Sequence, residues 1–200
     1  MGEVLAAIVG GEYAEGGRLP KETALAERHG VSRYVARECI QALRDRGVIT
    51  VKHGVGATVA PRSEWNLFDP VLLDAMLAGP EAQDVAAEIR EARRMVWPEV
   101  AAAAARRRTA ADLERLEAAA DDPQAFHAAL LDAAGNRFVR HVLSGLDRAA
   151  PDPDADAQGL ASVLDGIANR DEEAARSAMR VRLERPARTR SRSRAARSRR

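Results

Sequence analysis

Arginine side chains recur along the segment from Val31 to Val48, which reads VSRYVARECIQALRDRGV. A guanidinium group can donate two parallel hydrogen bonds to O6 and N7 of guanine, and each such pair discriminates against the wrong base by about 1–3 kcal/mol. Arg33 and Arg37 come first and are four residues apart, so a helix would place them on one side. These residues favour direct reading of base edges, and a solvated amphipathic helix is the alternative.

A helix over residues 32–46 separates the two kinds of side chain in this segment. Ser32 is a good N-cap, and Gly47 follows the last turn. The apolar face, at a spacing of three to four residues, consists of Val35, Ala36, Cys39, Ile40 and Leu43. The polar face consists of Arg33, Arg37, Gln41 and Arg44. The apolar face must pack against neighbouring elements, so the cationic face is predicted to point outward.

The two ends of this helix predict different roles for its arginines. A helix that enters the major groove contacts base edges best with its N-terminal side chains. Arg33 and Arg37 are therefore predicted to reach bases. Arg44 and Arg46 near the C-terminus are predicted to offset the helix dipole and to face solvent or backbone.

The elements around this helix follow from local signals. EVLAAIV at 3–9 has a helical apolar pattern, and KETALAERHG at 21–30 reads as a short helix closed by glycine. VITVKHGVGATVA at 48–60 has β-branched residues on both sides of a glycine-rich tip, which predicts a β-hairpin. A tip rich in glycine, which has no side chain, can approach a nucleic-acid backbone closely. Residues 1–62 are therefore predicted to be a domain of three helices and a hairpin wing.

Residues 63–185 carry helical patterns and no strand pattern, which predicts an all-α bundle. The predicted fold class is thus mainly α, with an N-terminal winged helix-turn-helix joined to a helical domain. Residues 186–200 contain arginine, serine and alanine without apolar spacing and are predicted to be disordered. That tail is either a solvated extension or a sequence-independent DNA clamp.

Charge and composition restrict the class of protein. The net charge is +1, and removing the seven arginines of residues 187–200 leaves −6, so DNA binding would depend on a local patch. No apolar run approaches the roughly 18–20 residues of a membrane helix. No secretory signal pattern opens the chain, and a single cysteine allows no internal disulfide, so a cytoplasmic protein without membrane partners is predicted. The four histidines are scattered without a catalytic constellation, which argues against an enzyme.

The segment GGRLPKETALAERHGVSRYVARECIQALRDRGVITVKHGVGATV at 16–59 resembles the winged helix-turn-helix of the GntR family of bacterial transcription regulators. The resemblance assigns base reading to Arg33 and Arg37, backbone contacts to Ser32 and Tyr34, and the wing tip to His53 and Gly54. Two positions of this surface depart from the family pattern. Lys21 replaces a capping serine and adds a possible phosphate contact, whereas Thr23 replaces an arginine. The departures imply altered operator preference or weaker affinity.

Residues 64–183 resemble the all-helical, fatty-acid-regulator-like (FCD) effector domain of the same family, most closely in FHAALLDAAGN at 126–136. The resemblance implies a homodimer and a small organic-acid or sugar-acid effector. The candidate effector-binding residues are Arg93, His127, Asn136 and Arg182.

Many effector domains of this class hold a divalent metal with one aspartate and three histidines, and most of that set is missing here. His127 is in place, but Pro123 stands at the aspartate position, and Leu160 and Arg182 stand at two histidine positions. A lone histidine is not a metal site, and an arginine favours an anion. The prediction is no metal and no other cofactor.

These patterns predict a sequence-specific regulator of transcription, a repressor, that binds double-stranded operator DNA under the control of a small anionic effector. One alternative is a degenerate regulator that binds DNA without a ligand. Another is a helical protein that binds a metal or a small molecule. A purely structural helical protein would leave the hairpin and the positioned arginines unexplained.

Overall fold

A computed structural model describes residues 1–52, 54–149 and 159–184 of the chain. Its helices are α1 (Gly2–Val9), α2 (Glu22–His29), α3 (Arg33–Asp45), α4 (Pro70–Ala78), α5 (Ala82–Arg107), α6 (Ala110–Ala118), α7 (Pro123–Ala134), α8 (Arg137–Ala149), α9 (Leu160–Ala168) and α10 (Glu172–Leu183). Strands β1 (Ile49–Lys52) and β2 (Gly56–Val59) form an antiparallel pair, followed by a short 3-10 helix (Arg62–Glu64). The predicted mainly α fold is confirmed. Within the described ranges, no helix is long and apolar enough to cross a membrane.

The chain forms two compact units. Among the described residues, the first unit comprises 1–90 with 142–149, and the second comprises 91–141 with 159–184. Helices α5 and α8 contribute residues to both units. The predicted domain boundary after residue 62 lies inside the first unit, where α4 packs against α1. The segment 186–200 lies outside the described residues, and its disorder stays a prediction.

The N-terminal end of α3 forms as predicted. The Oγ atom of Ser32 accepts a hydrogen bond from the backbone N–H of Val35 at 3.2 Å, which is the predicted N-cap. The buried face of α3 consists of Ala36, Cys39, Ile40 and Leu43. The prediction that Val35 belongs to this face is wrong, since 47% of Val35 is exposed. At 3.6 residues per turn, Val35 lies about a quarter turn from the centre of the buried face.

The hairpin begins immediately after α3 and has the predicted glycine-rich tip. Ile49 pairs with Val59 and Lys52 pairs with Gly56. The Oγ1 atoms of Thr50 and Thr58 lie 2.9 Å apart across the strands. Val48, Ile49 and Val59 share the core of the first unit with side chains of α1, α2 and α3, so the hairpin packs directly against the helices.

The second unit is helical throughout its described residues, and its helices begin and end at local sequence signals. Thr109 and Asp112 form a reciprocal capping box at the start of α6. Hydrogen bonds from Thr109 lower the pKa of the Asp112 carboxyl group. Helix α7 begins at Pro123 and ends before Gly135, which has a left-handed conformation. Helix α5 continues through Pro98 as one helix.

Helices α9 and α10 approach each other closely at Gly166. A Cβ atom at this position would lie 2.5 Å from the backbone nitrogen and 2.8 Å from the Cα atom of Ala175. Because backbone atoms cannot move aside without separating the helices, we expect Gly166→Ala to lower the free energy of unfolding by about 2 kcal/mol. Chemical denaturation of the two proteins measures this difference.

Gly145 offers a matched control, since it is also a helical glycine. Its nearest potential contact is Cδ1 of Phe68 at 4.0 Å, an ordinary van der Waals distance. Gly145→Ala is therefore expected to be neutral or to stabilise by up to about 1 kcal/mol through helix propensity. Equal losses in the two variants would contradict the close crossing at Gly166.

Candidate nucleic-acid interface and buried polar cluster

The first turns of α3 present a polar surface to solvent. Ser32, Arg33, Tyr34 and Arg37 are exposed, and Tyr34 is 72% exposed. Within the described part of the chain, no ion pair engages Arg33 or Arg37. The buried face of the same helix packs in the core of the first unit, so these arginines lie outside that core. The structure thus brings the predicted base-reading side chains together on one exposed turn.

Further along α3, the polar side chains are engaged within the protein. Nε2 of Gln41 donates to Oδ1 of Asp45 at 3.1 Å, and Arg44 lies 3.6 Å from the same carboxylate. Arg44 remains half exposed, as predicted. The prediction that Arg46 offsets the helix dipole agrees with its hydrogen bond to the carbonyl oxygen of Ala42 in the last turns of α3. The prediction that it faces solvent is wrong, because its guanidinium pairs with Asp69 and both side chains are mostly buried. An aspartate before a proline is a recognisable N-cap signal, but its pairing with an arginine 23 residues away depends on tertiary structure.

The other predicted nucleic-acid contacts lie at the start of α2 and at the hairpin tip. Lys21 is exposed and precedes α2 without a side-chain capping bond, as expected where lysine replaces serine. Thr23 is exposed in the first turn of α2. Gly54 is exposed, and its φ of 76° suits glycine in the tip. His53 lies outside the described residues.

This arrangement can contact DNA in two chemically different ways. Guanidinium groups at the start of α3 can donate paired hydrogen bonds to base edges in the major groove. The hydroxyl groups of Ser32 and Tyr34 and the ammonium group of Lys21 can contact phosphates, which position a protein on the duplex without reading its sequence. Together they fit a helix that reads bases between flanking backbone contacts.

Three of the four predicted effector-binding residues are buried in the second unit. Arg93 is 4% exposed, His127 is 8% exposed and Arg182 is 7% exposed. The ring of His127 stacks on Trp97, one turn after Arg93 on α5, with a centroid distance of 4.4 Å. Trp97 is itself buried and fills space beside His127.

Helices α5 and α10 are joined by two ion pairs whose order places Arg93 and Arg182 toward the same end of the helix pair. Arg106 contacts Glu172 at 2.6 Å, and Arg176 contacts Glu99 at 2.8 Å. From the first ion pair to the second, the residue number decreases along α5, from 106 to 99, and increases along α10, from 172 to 176. The two helices are therefore antiparallel. The hydrogen bond from Arg176 lowers the pKa of Glu99.

Asn136, the fourth predicted effector contact, lies on the surface and has a different role. Its Oδ1 atom accepts hydrogen bonds from the backbone N–H groups of Phe138 and Val139 at 3.1 and 3.2 Å. This is an N-cap of α8, a position that favours asparagine. The structure does not bring Asn136 together with the buried arginines.

The side chains at the family's metal-ligand positions do not fit a divalent cation. His127 supplies one imidazole, but Pro123 begins α7, Leu160 is fully buried and apolar, and Arg182 is a buried cation. A guanidinium group has no lone pair for a metal and repels its charge. Among the described residues, no three His, Cys, Asp or Glu side chains are grouped to hold a metal ion. The absence of any cofactor stays a prediction.

Comparison with known proteins finds regulators of transcription. Residues 2–59 match the family described as "Bacterial regulatory proteins, gntR family". The galactonate operon transcriptional repressor of Escherichia coli is 33% identical over 159 residues, which are 71% of this chain and 69% of that protein. The HTH-type transcriptional regulator LutR of Bacillus subtilis is 34% identical over 151 residues, which are 68% of this chain and 67% of that protein.

A solved structure shares the fold. The structure described as Streptococcus agalactiae GntR is 22% identical, covers 92% of this chain and 97% of its own, and superposes with a TM-score of 0.50. At this level of identity the likeness concerns the fold alone.

Proposed function

The chain belongs to the GntR family of DNA-binding transcription regulators, and from this premise we propose that it represses transcription by reading an operator with Arg33 and Arg37 under the control of a small organic acid. The repressor role is supported by similarity to the galactonate operon transcriptional repressor of Escherichia coli. The proposed oligomer is a homodimer, because a two-fold operator requires two reading helices about one DNA turn apart. The proposed location is the cytoplasm.

One observation carries the proposal for operator reading. Arg33 and Arg37 are exposed on the first turns of a helix whose opposite face is buried. A solvated amphipathic helix would also expose arginines. That alternative does not account for the adjacent hairpin wing or for the exposed polar residues at the start of α2. The joint placement of α2, α3 and the hairpin in one compact unit favours the interpretation as an interface.

A gel shift on the DNA upstream of the protein's own gene tests operator binding. We expect a discrete complex with this DNA and weaker binding to a shuffled duplex of the same composition. Footprinting of the complex is expected to protect two half-sites about 10 base pairs apart, centre to centre. Equal binding to both duplexes would overturn the proposal.

Control by a ligand is proposed from the buried polar cluster of the second unit, defined as Arg93, His127 and Arg182. Two guanidinium groups with low exposure lie in this interior. A carboxylate matches the planar fork of an arginine with two parallel hydrogen bonds. Galactonate is the first probe to use, because a relative is named for the galactonate operon.

Arg182→Gln is expected to abolish the response to such a ligand. A sugar acid that binds only the folded protein raises the unfolding temperature, by an amount that grows with ligand concentration. We expect this rise in the wild-type protein and in Arg180→Gln, since Arg180 is exposed two residues away on the same helix. An undiminished shift in Arg182→Gln would contradict the assignment, and no shift from any organic acid would favour the ligand-independent alternative.

A further inference from the structure

The C-terminal end of α3 is joined to the segment before α4 by both the side chain and the backbone of Arg46. Nε of Arg46 donates a hydrogen bond to Oδ1 of Asp69 at 3.0 Å. Its Nη1 atom donates to the carbonyl oxygen of Ala42 in the last turns of α3, at 2.8 Å. The backbone N–H of Asn66 donates to the carbonyl oxygen of Arg46 at 2.9 Å. The guanidinium group is thus held between α3 and the start of α4.

This ion pair is sheltered from solvent. The side chains of Arg46 and Asp69 are 18% and 20% exposed, whereas those of the surface pair Arg28 and Glu12 are 53% and 51% exposed. Screening by water weakens exposed pairs, and charge-assisted hydrogen bonds between sheltered groups are stronger. Oδ1 of Asp69 also accepts the N–H of Leu72 at 2.9 Å, so one carboxylate oxygen caps α4 and holds the end of α3.

We propose that Arg46 and Asp69 form a latch that fixes α3 in position for operator binding, with Arg46 as a positioning residue and not a DNA ligand. The inference rests on the proposed function of α3 as the reading helix. A helix held in one position loses less conformational freedom when it enters the groove. The latch therefore supports binding to a specific sequence, whereas non-specific attraction depends on exposed charge.

Asp69→Asn tests the latch while it keeps a side-chain oxygen that can cap α4. We expect the affinity for the operator to fall about tenfold, because a reading helix that is held less firmly loses more conformational freedom on binding, with a much smaller change for a shuffled duplex. Asp171→Asn is the matched control, because Asp171 caps α10 by accepting the N–H of Ala174 at 2.9 Å. Both affinities of this control are expected to equal those of the wild type. Wild-type operator affinity in Asp69→Asn would overturn the proposal.

Arg46→Ala separates a positioning role from a phosphate contact. A lysine or arginine bound to a phosphate contributes about 1 to the slope of log affinity against log salt concentration. We expect Arg46→Ala to weaken operator binding with the wild-type slope. A slope reduced by about 1, with equal losses on operator and shuffled DNA, would show a phosphate contact and overturn the latch.

Hydrogen exchange tests the latch without DNA. The backbone N–H groups of residues 43–48 are expected to exchange faster in Asp69→Asn than in the wild type, and to be unchanged in Asp171→Asn. Unchanged exchange in Asp69→Asn would overturn the latch. If the wild-type protein instead failed to prefer operator over shuffled DNA, the role of α3 would be overturned, and the exchange result would still decide whether the latch exists.

Discussion

Arg37→Ala is expected to lower the affinity for operator DNA about 5- to 150-fold, because the loss of one bidentate contact with guanine costs about 1–3 kcal/mol. Arg37 is exposed one turn after Arg33, and neither belongs to the buried face of α3 that contains Leu43. The same substitution at Arg33 is expected to have an effect of similar size. Fluorescence anisotropy with a labelled operator duplex measures both losses at one fixed salt concentration.

Arg44→Ala provides the control for charge alone. It removes an equal charge from the same helix, but from a half-exposed side chain next to Asp45 near the C-terminal end. We expect it to weaken operator and shuffled DNA by the same small factor. If Arg44→Ala lowered operator affinity as much as Arg37→Ala, base reading would not be confined to the first turns of α3.

Gly47→Ala is expected to cause the largest loss of stability in the first unit, about 3 kcal/mol or more. Gly47 has a φ of 72°, a conformation that L-residues rarely adopt. An added Cβ would overlap the backbone carbonyl group of Glu64 and lie 3.5 Å from Cα of Trp65. The turn after α3 and the segment before α4 would have to separate. Denaturant unfolding measures the loss.

Gly30→Ala is the control for Gly47→Ala, because it introduces the same left-handed strain without the overlap. Gly30 has a φ of 61° at the end of α2, and an added Cβ would meet no atom within 4 Å. Its substitution is expected to cost only the left-handed strain, about 1–2 kcal/mol. A similar loss in the two variants would show that the approach to Glu64 does not limit Gly47.

The ends of the helices are predictable from the sequence because their signals are local. Ser32 and Thr109 cap helices through side chains that reach only three residues ahead. Gly30 and Gly135 close helices in the left-handed conformation, which only glycine adopts at little cost. Such signals depend on neighbouring residues and not on the rest of the fold.

The errors arise where the role of a residue depends on distant parts of the chain. Arg46 is one of several arginines in its segment, and only the packed structure brings Asp69 to it. Val35 fits the apolar spacing but lies at the edge of the buried face, where burial depends on how the neighbouring elements pack. Asn136 is a different case, since its capping of α8 is a local signal that the motif resemblance obscured.

The candidate site is predictable to the extent that it lies on one helix. Arg33 and Arg37 share a surface because of helical periodicity alone. The buried polar cluster combines α5, α7 and α10, so its members could be proposed only through the family resemblance. The stacking of His127 on Trp97 joins residues 30 positions apart and depends on the packing of those helices.

The most direct test of base reading pairs the Arg37→Ala variant with operators in which single guanines are replaced by 7-deazaguanine, which lacks the N7 acceptor. At one guanine in each half-site, we predict that the replacement weakens wild-type binding by about 1 kcal/mol or more and does not weaken binding by Arg37→Ala. An equal penalty for both proteins at every guanine would contradict the assignment of Arg37 as a residue that reads the operator.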